Sequence, residues 1–544
     1  MAAVQYSRLL TRTVGFDGGD PGRPAEGHCP EGGTGTIRPV KQVTRGISAV
    51  EAHPSLRQIP LSTAGVTGLF GAICVLIGVA QKGSPFTSKL PDAWFFGLGH
   101  GTSGAGHDGT FLGIAIVYLG VLLMIGSWFE VIRTLRRNPG APIKAILTII
   151  GLWAVPTAVM PPLFSRDVYS YAAQGEMVSR GINPYTHEPT ALGPSPYLRL
   201  VDPIWRNSHA PYGPAWERLA GVIVQISRHD VVATIVGFRL VALLGVALIA
   251  CGVSTLARSV GRDPAAALAL AVLNPLVLLV LVGGAHNDAL MLGLIVCGCA
   301  AARRNHLLIA LVLCTLAAEV KVPALVGAIF IGWWWSDESG LERHRASRVV
   351  VAILTVAGLM GVFGLLSGLG WHWLDGLTNP GVVVSWADPM TAIGLAISHA
   401  SAALGFGEHS TAFVQSARAV GLVLAAVIAV GLMTRWRTRP IEALGWSLLA
   451  FAVLGPVVWP WYETWGFVFL TVTAERRTLR VLLALSAIAC FADLPSSRYY
   501  EAAADPTLTV VCWIVLTGVA VAYGIVRLKP SICRQSPGFA RVDP

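Results

Sequence analysis

Apolar stretches recur along the chain near 62–80, 111–129, 142–162, 231–257, 264–282, 288–302, 307–319, 322–335, 348–369, 411–433, 441–458, 464–474, 480–492 and 507–527. Coiled as helices, runs of about 20 apolar residues match the hydrocarbon core of a bilayer. The pattern predicts an all-α, polytopic membrane protein with about 12–14 transmembrane helices. Arginine and lysine then occupy every alternate break: Arg133, Arg136, Arg137 and Lys144; Arg258 and Arg262; Arg303 and Arg304; Arg343, Arg345 and Arg348. The series continues with Arg435, Arg437 and Arg439, then Arg476, Arg477 and Arg480, then Arg527 and Lys529. This is the positive-inside distribution, and it places the basic breaks and both termini in the cytoplasm, on a multi-pass plasma-membrane protein.

The opposite breaks differ in kind. Two are long, about 163–230 and about 370–410, and both mix Trp, Tyr and Pro with charges. They suit interfacial or re-entrant helices around an extracytoplasmic site. In the first, S-R-D-V-Y-S-Y-A-A-Q-G-E-M-V-S-R-G reads as a short helix over 168–180, opened by Asp167, stopped by Gly181 and followed by an N-P-Y turn. Residues 1–58, rich in Gly, Pro and Arg, read as a disordered cytoplasmic tail, 59–530 as the membrane domain and 531–544 as a second cytoplasmic tail.

Composition agrees with a lipid-solvated chain. Of 544 residues only 13% are charged, about half the share in soluble domains, and the mean hydropathy is +0.62. The net charge of +10 does not indicate nucleic acid as a partner, because the basic residues sit in short clusters between apolar runs. Most of the nine cysteines lie inside apolar stretches, which argues against a disulfide framework or a structural metal. The Gly-rich stretch at 97–109 mimics a dinucleotide fingerprint without a preceding strand, and no Walker A sequence is present.

With this sidedness, four polar clusters fall on the outer face: Arg166 to Tyr169, His286 to Asp288, Lys321 after Glu319, and Trp459 to Tyr462. Charged groups near a bilayer face a cavity or one another. Asp167 is either a general base for a hydroxyl nucleophile or the N-cap of the following helix. His286 and Asn287 could donate hydrogen bonds to a phosphate or sugar, with Asp288 as a helix cap. Lys321 cannot easily meet Glu319 at i,i+2 and reads as an unpaired ammonium awaiting an anion, a task Arg166 and Arg498 could share. Tyr169, Tyr212, Glu217, Trp386, Trp461 and Tyr462 are secondary candidates. Trp461 and Tyr462 read most simply as an interfacial aromatic belt. The A-P-Y-G-P run sets a proline-fixed corner, and S-W-A-D-P-M at 385–390 is acceptor-groove material.

S-R-D-V-Y-S-Y-A-A-Q-G with G-I-N-P-Y, then A-P-Y-G-P, G-G-A-H-N-D-A-L-M-L-G, V-K-V-P-A-L, V-V-V-S-W-A-D-P and P-V-V-W-P-W-Y occur in this order. From about 62 to 527 the set resembles the polyprenol-phosphomannose-dependent α-1,6-mannosyltransferases, the MptA/MptB family, with the MptB branch closer. H-N-D stands where close relatives are expected to read H-N-E. The resemblance implies the GT-C glycosyltransferase architecture, a polyprenyl-phosphomannose donor, and a lipid-anchored mannan acceptor of the lipomannan and lipoarabinomannan backbone. It also implies an inverting transfer with an aspartate base in the first large outer loop, which falls on Asp167. No metal is assigned, although some enzymes of this class use one. Competing readings keep the fold with another polyprenyl-phosphate sugar, such as arabinofuranose, or make the chain a flippase or transporter for a polyprenol-linked sugar.

Overall fold

The computed structural model describes residues 60–81, 94, 107–338, 345–377 and 382–492. These residues contain helices and connecting turns and no strand. Both tails, the apolar segment 507–527, Arg498 and most of the Gly-rich stretch at 97–109 lie outside the described residues.

The helices run α1 (Leu61–Ala80), α2 (His107–Arg137), α3 (Ile143–Val159), α4 (Asp167–Ser179), α5 (Pro196–Leu200), α6 (Pro214–Ile226), α7 (Val231–Ser259), α8 (Pro264–Ala271) and α9 (Asp288–Ala302). They continue as α10 (Leu307–Val320), α11 (Leu325–Glu338), α12 (Arg345–Ser367), α13 (Trp373–Gly376), α14 (Pro389–Ala403) and α15 (Ser410–Arg435). The described part closes with α16 (Pro440–Leu454), α17 (Glu463–Thr473) and α18 (Arg476–Ala492). Among the described residues, five helices, lying within α1, α2, α7, α12 and α15, are long and apolar enough to cross a bilayer, and a bent pair formed by the π-helical segment and α9 makes a sixth. The remaining apolar segments form shorter helices such as α3, α10, α11 and α16, so segments outnumber helices of spanning length.

Breaks in the apolar segments have local causes. The expected helix over 264–282 stops after α8 because Pro275 lacks an N–H, and the Asn274 Oδ1 accepts the Leu276 N–H at 3.0 Å instead. The chain resumes as a π-helix, Val277–Gly283, then turns by 114° into α9. Pro323 likewise separates α10 from α11, leaving Lys321 extended between them. Each break exposes backbone groups and side chains at a helix end, and these ends form the site.

Helix direction separates two faces. α9 carries the chain about 22 Å from Asp288 to the basic break at Arg303. α17 runs from beside Tyr462 to Thr473, which lines a pocket with Arg262, Arg303 and Arg439. The H-N-D and W-P-W-Y clusters and these basic breaks therefore occupy opposite helix ends, as the alternation of charge requires.

α7 and α9 pack closely where they cross. A Cβ on Gly245 would lie 2.3 Å from the Ala289 carbonyl carbon, and one on Gly293 would lie 2.6 Å from the Gly245 oxygen. Backbones approach this closely only where both residues are small. Gly245→Ala is expected to destabilise the protein by about 1–3 kcal/mol through overpacking, and Gly245→Leu by more. Thermal unfolding in detergent measures both, and an unchanged midpoint for Gly245→Leu would contradict this packing.

Candidate active site

Asp167 opens α4 but does not cap it. Arg166 holds the N-cap position, and the Ser165 Oγ accepts the Asp167 N–H at 3.1 Å. The alternative reading of Asp167 as a cap therefore fails, and its carboxylate is left to line the cavity. Burial pushes its pKa up to about 6, against the lowering effect of the Lys321 ammonium. Ser170 and Gln174 follow at i+3 and i+7, so one face of α4 lines the same cavity. Gly181 ends the helix as expected, with φ of +74°, and Asn183 closes the N-P-Y turn by accepting the Tyr185 N–H at 2.9 Å.

The H-N-D turn meets Asp167 from the other side. His286 is fully buried, with Nδ1 3.8 Å from the Asp167 Oδ2 and its ring 4.1 Å from that of Trp461. The Asn287 Oδ1 accepts from the Tyr171 hydroxyl at 3.3 Å. Asp288 is the first residue of α9 and Asn287 holds the cap position without a side-chain cap bond. The Asp288 cap reading is thus replaced by a more specific role. Lys321 Nζ reaches both Asp288 carboxylate oxygens at 3.0 Å, and Trp465 Nε1 donates to Oδ1 at 2.6 Å. The Lys321 ammonium also sits over the Tyr462 and Trp465 rings, at 4.7 and 5.4 Å. It is therefore paired, not lone, and the short Asp288 side chain reaches it because the 114° bend brings α9 in head-on. Glu319 indeed points elsewhere, accepting the Ala215 N–H at 3.1 Å at the start of α6.

Asp167, Lys321, Tyr212 and Tyr462 line one cavity of about 450 Å³. Trp205, His209, Trp459 and Trp465 also line it, and Val326, Ile329, Leu422 and Phe451 contribute apolar surface. Trp461 lies behind this surface, 1% exposed and stacked on Trp459 with ring centres 4.9 Å apart. Its place in the core overturns the aromatic-belt reading.

Other candidates stand away from the cavity. The Arg166 guanidinium donates to the carbonyls of Leu200 and Val201 and lies 3.6 Å from Asp202, so it holds the α5 loop. Tyr169 and Glu217 are buried and do not line the cavity. Trp386 packs edge-on to His399, at 5.6 Å. From its segment it is Asp388 that bears on the site, accepting the Val458 N–H at 2.7 Å and so fixing the 455–459 wall. Among the described residues no three His, Cys, Asp or Glu gather in a metal-binding group.

Two groups were missed in the sequence. Trp465 follows the W-P-W-Y run by one helical turn and completes the shell of Asp288. Arg239, in the apolar run of α7, donates to the carbonyls of Ala158, Met160 and Gly283. A lone arginine inside an apolar span was the available signal.

An all-helical membrane protein whose helix ends enclose a carboxylate, a paired ammonium and aromatic rings has the form of a polytopic membrane glycosyltransferase. Sequence comparison identifies which one. The alpha-(1->6)-mannopyranosyltransferase N-terminal domain matches residues 65–337 and the MptB C-terminal domain matches 390–526. Alpha-(1->6)-mannopyranosyltransferase A of Mycobacterium tuberculosis is 31% identical, over 77% of this chain and 82% of its own. A second alpha-(1->6)-mannopyranosyltransferase of that organism is 30% identical, over 73% and 78%. Alpha-(1->6)-mannopyranosyltransferase B of Corynebacterium glutamicum is 29% identical, over 77% and 72%. No solved structure matches. The chain belongs to the MptA/MptB family of alpha-(1->6)-mannopyranosyltransferases and is a membrane mannosyltransferase.

Removing one partner of the buried pair strands the other charge. Lys321→Met is expected to destabilise by about 3–5 kcal/mol. Adding Asp288→Asn should restore much of the thermal midpoint, because the stranded charge is gone, without restoring mannosyl transfer. If the double variant recovers activity along with stability, Lys321 serves the fold alone.

Proposed function

We propose that the protein transfers mannose from polyprenyl-phosphomannose to a lipid-anchored α-1,6-mannan acceptor, extending the backbone of lipomannan and lipoarabinomannan with inversion at the anomeric carbon. The observation that carries this reading is the mixed lining of one cavity, in which Asp167 and Lys321 share the space with Val326, Ile329, Leu422 and Phe451. A phosphate attached to an isoprenoid offers partners for both kinds of lining residue. α4 opens at this cavity, and helix N-termini favour anions.

In the proposed step the acceptor 6-hydroxyl oxygen bonds to C1 of the mannosyl group as the bond from C1 to the phosphate oxygen breaks. Asp167 takes the hydroxyl proton, and polyprenyl phosphate leaves with its charge facing Lys321. Lys321 has three N–H donors, and Asp288 offers two oxygens to it. A single displacement turns a β-linked donor into an α-linkage and needs one base and no glycosyl-enzyme intermediate. Tyr212, Trp459 and Tyr462 present rings suited to the faces of sugars. The basic breaks at the far helix ends support placing the cavity on the extracytoplasmic side. His286 and Asn287 act from behind the wall, as buried neighbours of Asp167 and Tyr171.

Purified protein given polyprenyl-phosphomannose and a short α-1,6-mannoside should lengthen the acceptor, and an excess of polyprenyl-phosphoarabinose should not suppress this. Turnover is expected to survive EDTA, since Lys321 supplies positive charge at the leaving phosphate. Asp167→Asn should lower kcat by about 10²–10⁴-fold. Full activity in that variant would remove the proposed base.

The pH profile tests the same group independently. Asp167 works as the carboxylate, and its pKa is raised to about 6. Accordingly kcat/KM should level off above about pH 6 and fall roughly tenfold per unit below it. A profile that stays flat down to pH 5 would contradict the assignment.

A further inference from the structure

At the helix ends opposite the cavity, a second concavity of about 390 Å³ lies between α2 and α18. Arg133, Arg136 and Arg137 from the last turns of α2 and Arg480 from α18 face it, beside an apolar wall that includes Phe129 and Leu483. We propose that this notch binds the phosphodiester of an anionic phospholipid, with the acyl chains along the apolar wall. The site is separate from the mannosyl-transfer cavity and does not rest on the proposed reaction.

Charge is the first argument. Glu130 lies 3.7 Å from Arg133, while Arg136 and Arg137 have no ion-pair partner among the described residues. Arg480 donates its Nε to the Arg476 carbonyl at 3.3 Å, which leaves its charge uncompensated. Three guanidinium groups with no counter-charge share one small concavity, and their mutual repulsion is relieved by a bound anion. Guanidinium forks match phosphate oxygens in pairs. The other basic pocket, with Arg262, Arg303 and Arg439, includes Glu442 and Glu475 among its own lining residues, so its charge is largely balanced internally. Only the α2–α18 notch, of these two, calls for an external anion.

Position is the second argument. Arg133, Arg136 and Arg137 terminate the apolar span Leu112–Arg137, which holds an 18-residue stretch of mean hydropathy 2.2, so they sit where a hydrocarbon layer gives way to headgroups. Phe129 remains 38% exposed on that wall. A soluble phosphate would leave this ring in water, whereas a lipid covers it with its chains. Tyr118 and Phe491 pack with ring centres 5.9 Å apart, which joins α2 and α18 further along.

Native mass spectrometry of the purified full chain with short-chain phosphatidylglycerol, phosphatidylcholine or inorganic phosphate provides the test. Phosphatidylglycerol should be retained, and phosphatidylcholine and inorganic phosphate should not. The R136Q/R137Q/R480Q variant should bind phosphatidylglycerol at least tenfold more weakly, with an unchanged elution profile and thermal midpoint in detergent. R258Q/R435Q/R437Q removes the same charge from exposed arginines elsewhere on the basic breaks and should bind as the parent does. Equal losses in both variants would reduce the effect to general electrostatic attraction and overturn the proposal. Equal retention of phosphatidylcholine, or displacement of phosphatidylglycerol by inorganic phosphate, would overturn it as well.

Discussion

The site depends on the Arg239 guanidinium, which gathers backbone carbonyls from two distant segments. It receives Ala158 and Met160 at the end of α3 and Gly283 at the end of the π-helix. Each of these carbonyls sits at a helix terminus and lacks its usual partner, while a buried arginine requires several acceptors at once. The two needs are met together, and the Leu163 N–H adds a direct bond to the Gly283 carbonyl at 3.3 Å. Just beyond the clamp the chain passes through left-handed backbone at Phe164 and Ala285, with φ of 66° and 54°. Such conformations in residues with side chains cost of order 1–3 kcal/mol each and persist only when neighbouring bonds enforce them. Asp167 and His286 follow immediately, so the clamp brings the two strained turns together and sets 3.8 Å between those side chains.

With the turns placed, the two aspartates are driven to different roles. Asp288 is fully buried and satisfied by an ammonium and an indole N–H, which commits it to holding Lys321 and Trp465 in place. Asp167 has no comparable partner, and its carboxylate opens on the cavity with 19% of the side chain accessible. One carboxylate spends its charge on structure and the other keeps a proton affinity suited to chemistry near neutral pH. The separation follows from the bend ahead of α9, since a continuous helix through 277–302 would carry Asp288 away from Lys321.

The convergence of the polar clusters was the most legible property of the sequence. Alternation of basic breaks places Asp167, His286, Lys321 and Tyr462 on one face, and all four meet at one site. Individual roles were less legible, because they depend on contacts between residues far apart in the chain. Lys321 finds Asp288 at a separation of 33 residues, and Trp465 finds it at 177. Arg166 was drawn toward the donor by its position beside Asp167, yet its neighbour in sequence starts a helix and turns it outward to the α5 loop. Trp461 resembled a membrane anchor because aromatic clusters at span ends usually are, whereas here the stack on His286 and Trp459 buries it. Arg239 could have been found, since a single charge in an apolar span is rarely idle.

The central claim is that donor phosphate meets Lys321 while its isoprenoid follows the wall of Val326, Ile329, Leu422 and Phe451. A polyprenyl-phosphosugar carrying a photoreactive group on its first isoprene unit, followed by peptide mapping, tests this most directly. Labelling should concentrate on residues 322–329, 422 and 451, and should fall sharply in a folded Lys321→Met, Asp288→Asn double variant. Labelling elsewhere in the parent protein, or unchanged labelling in that variant, would contradict the account.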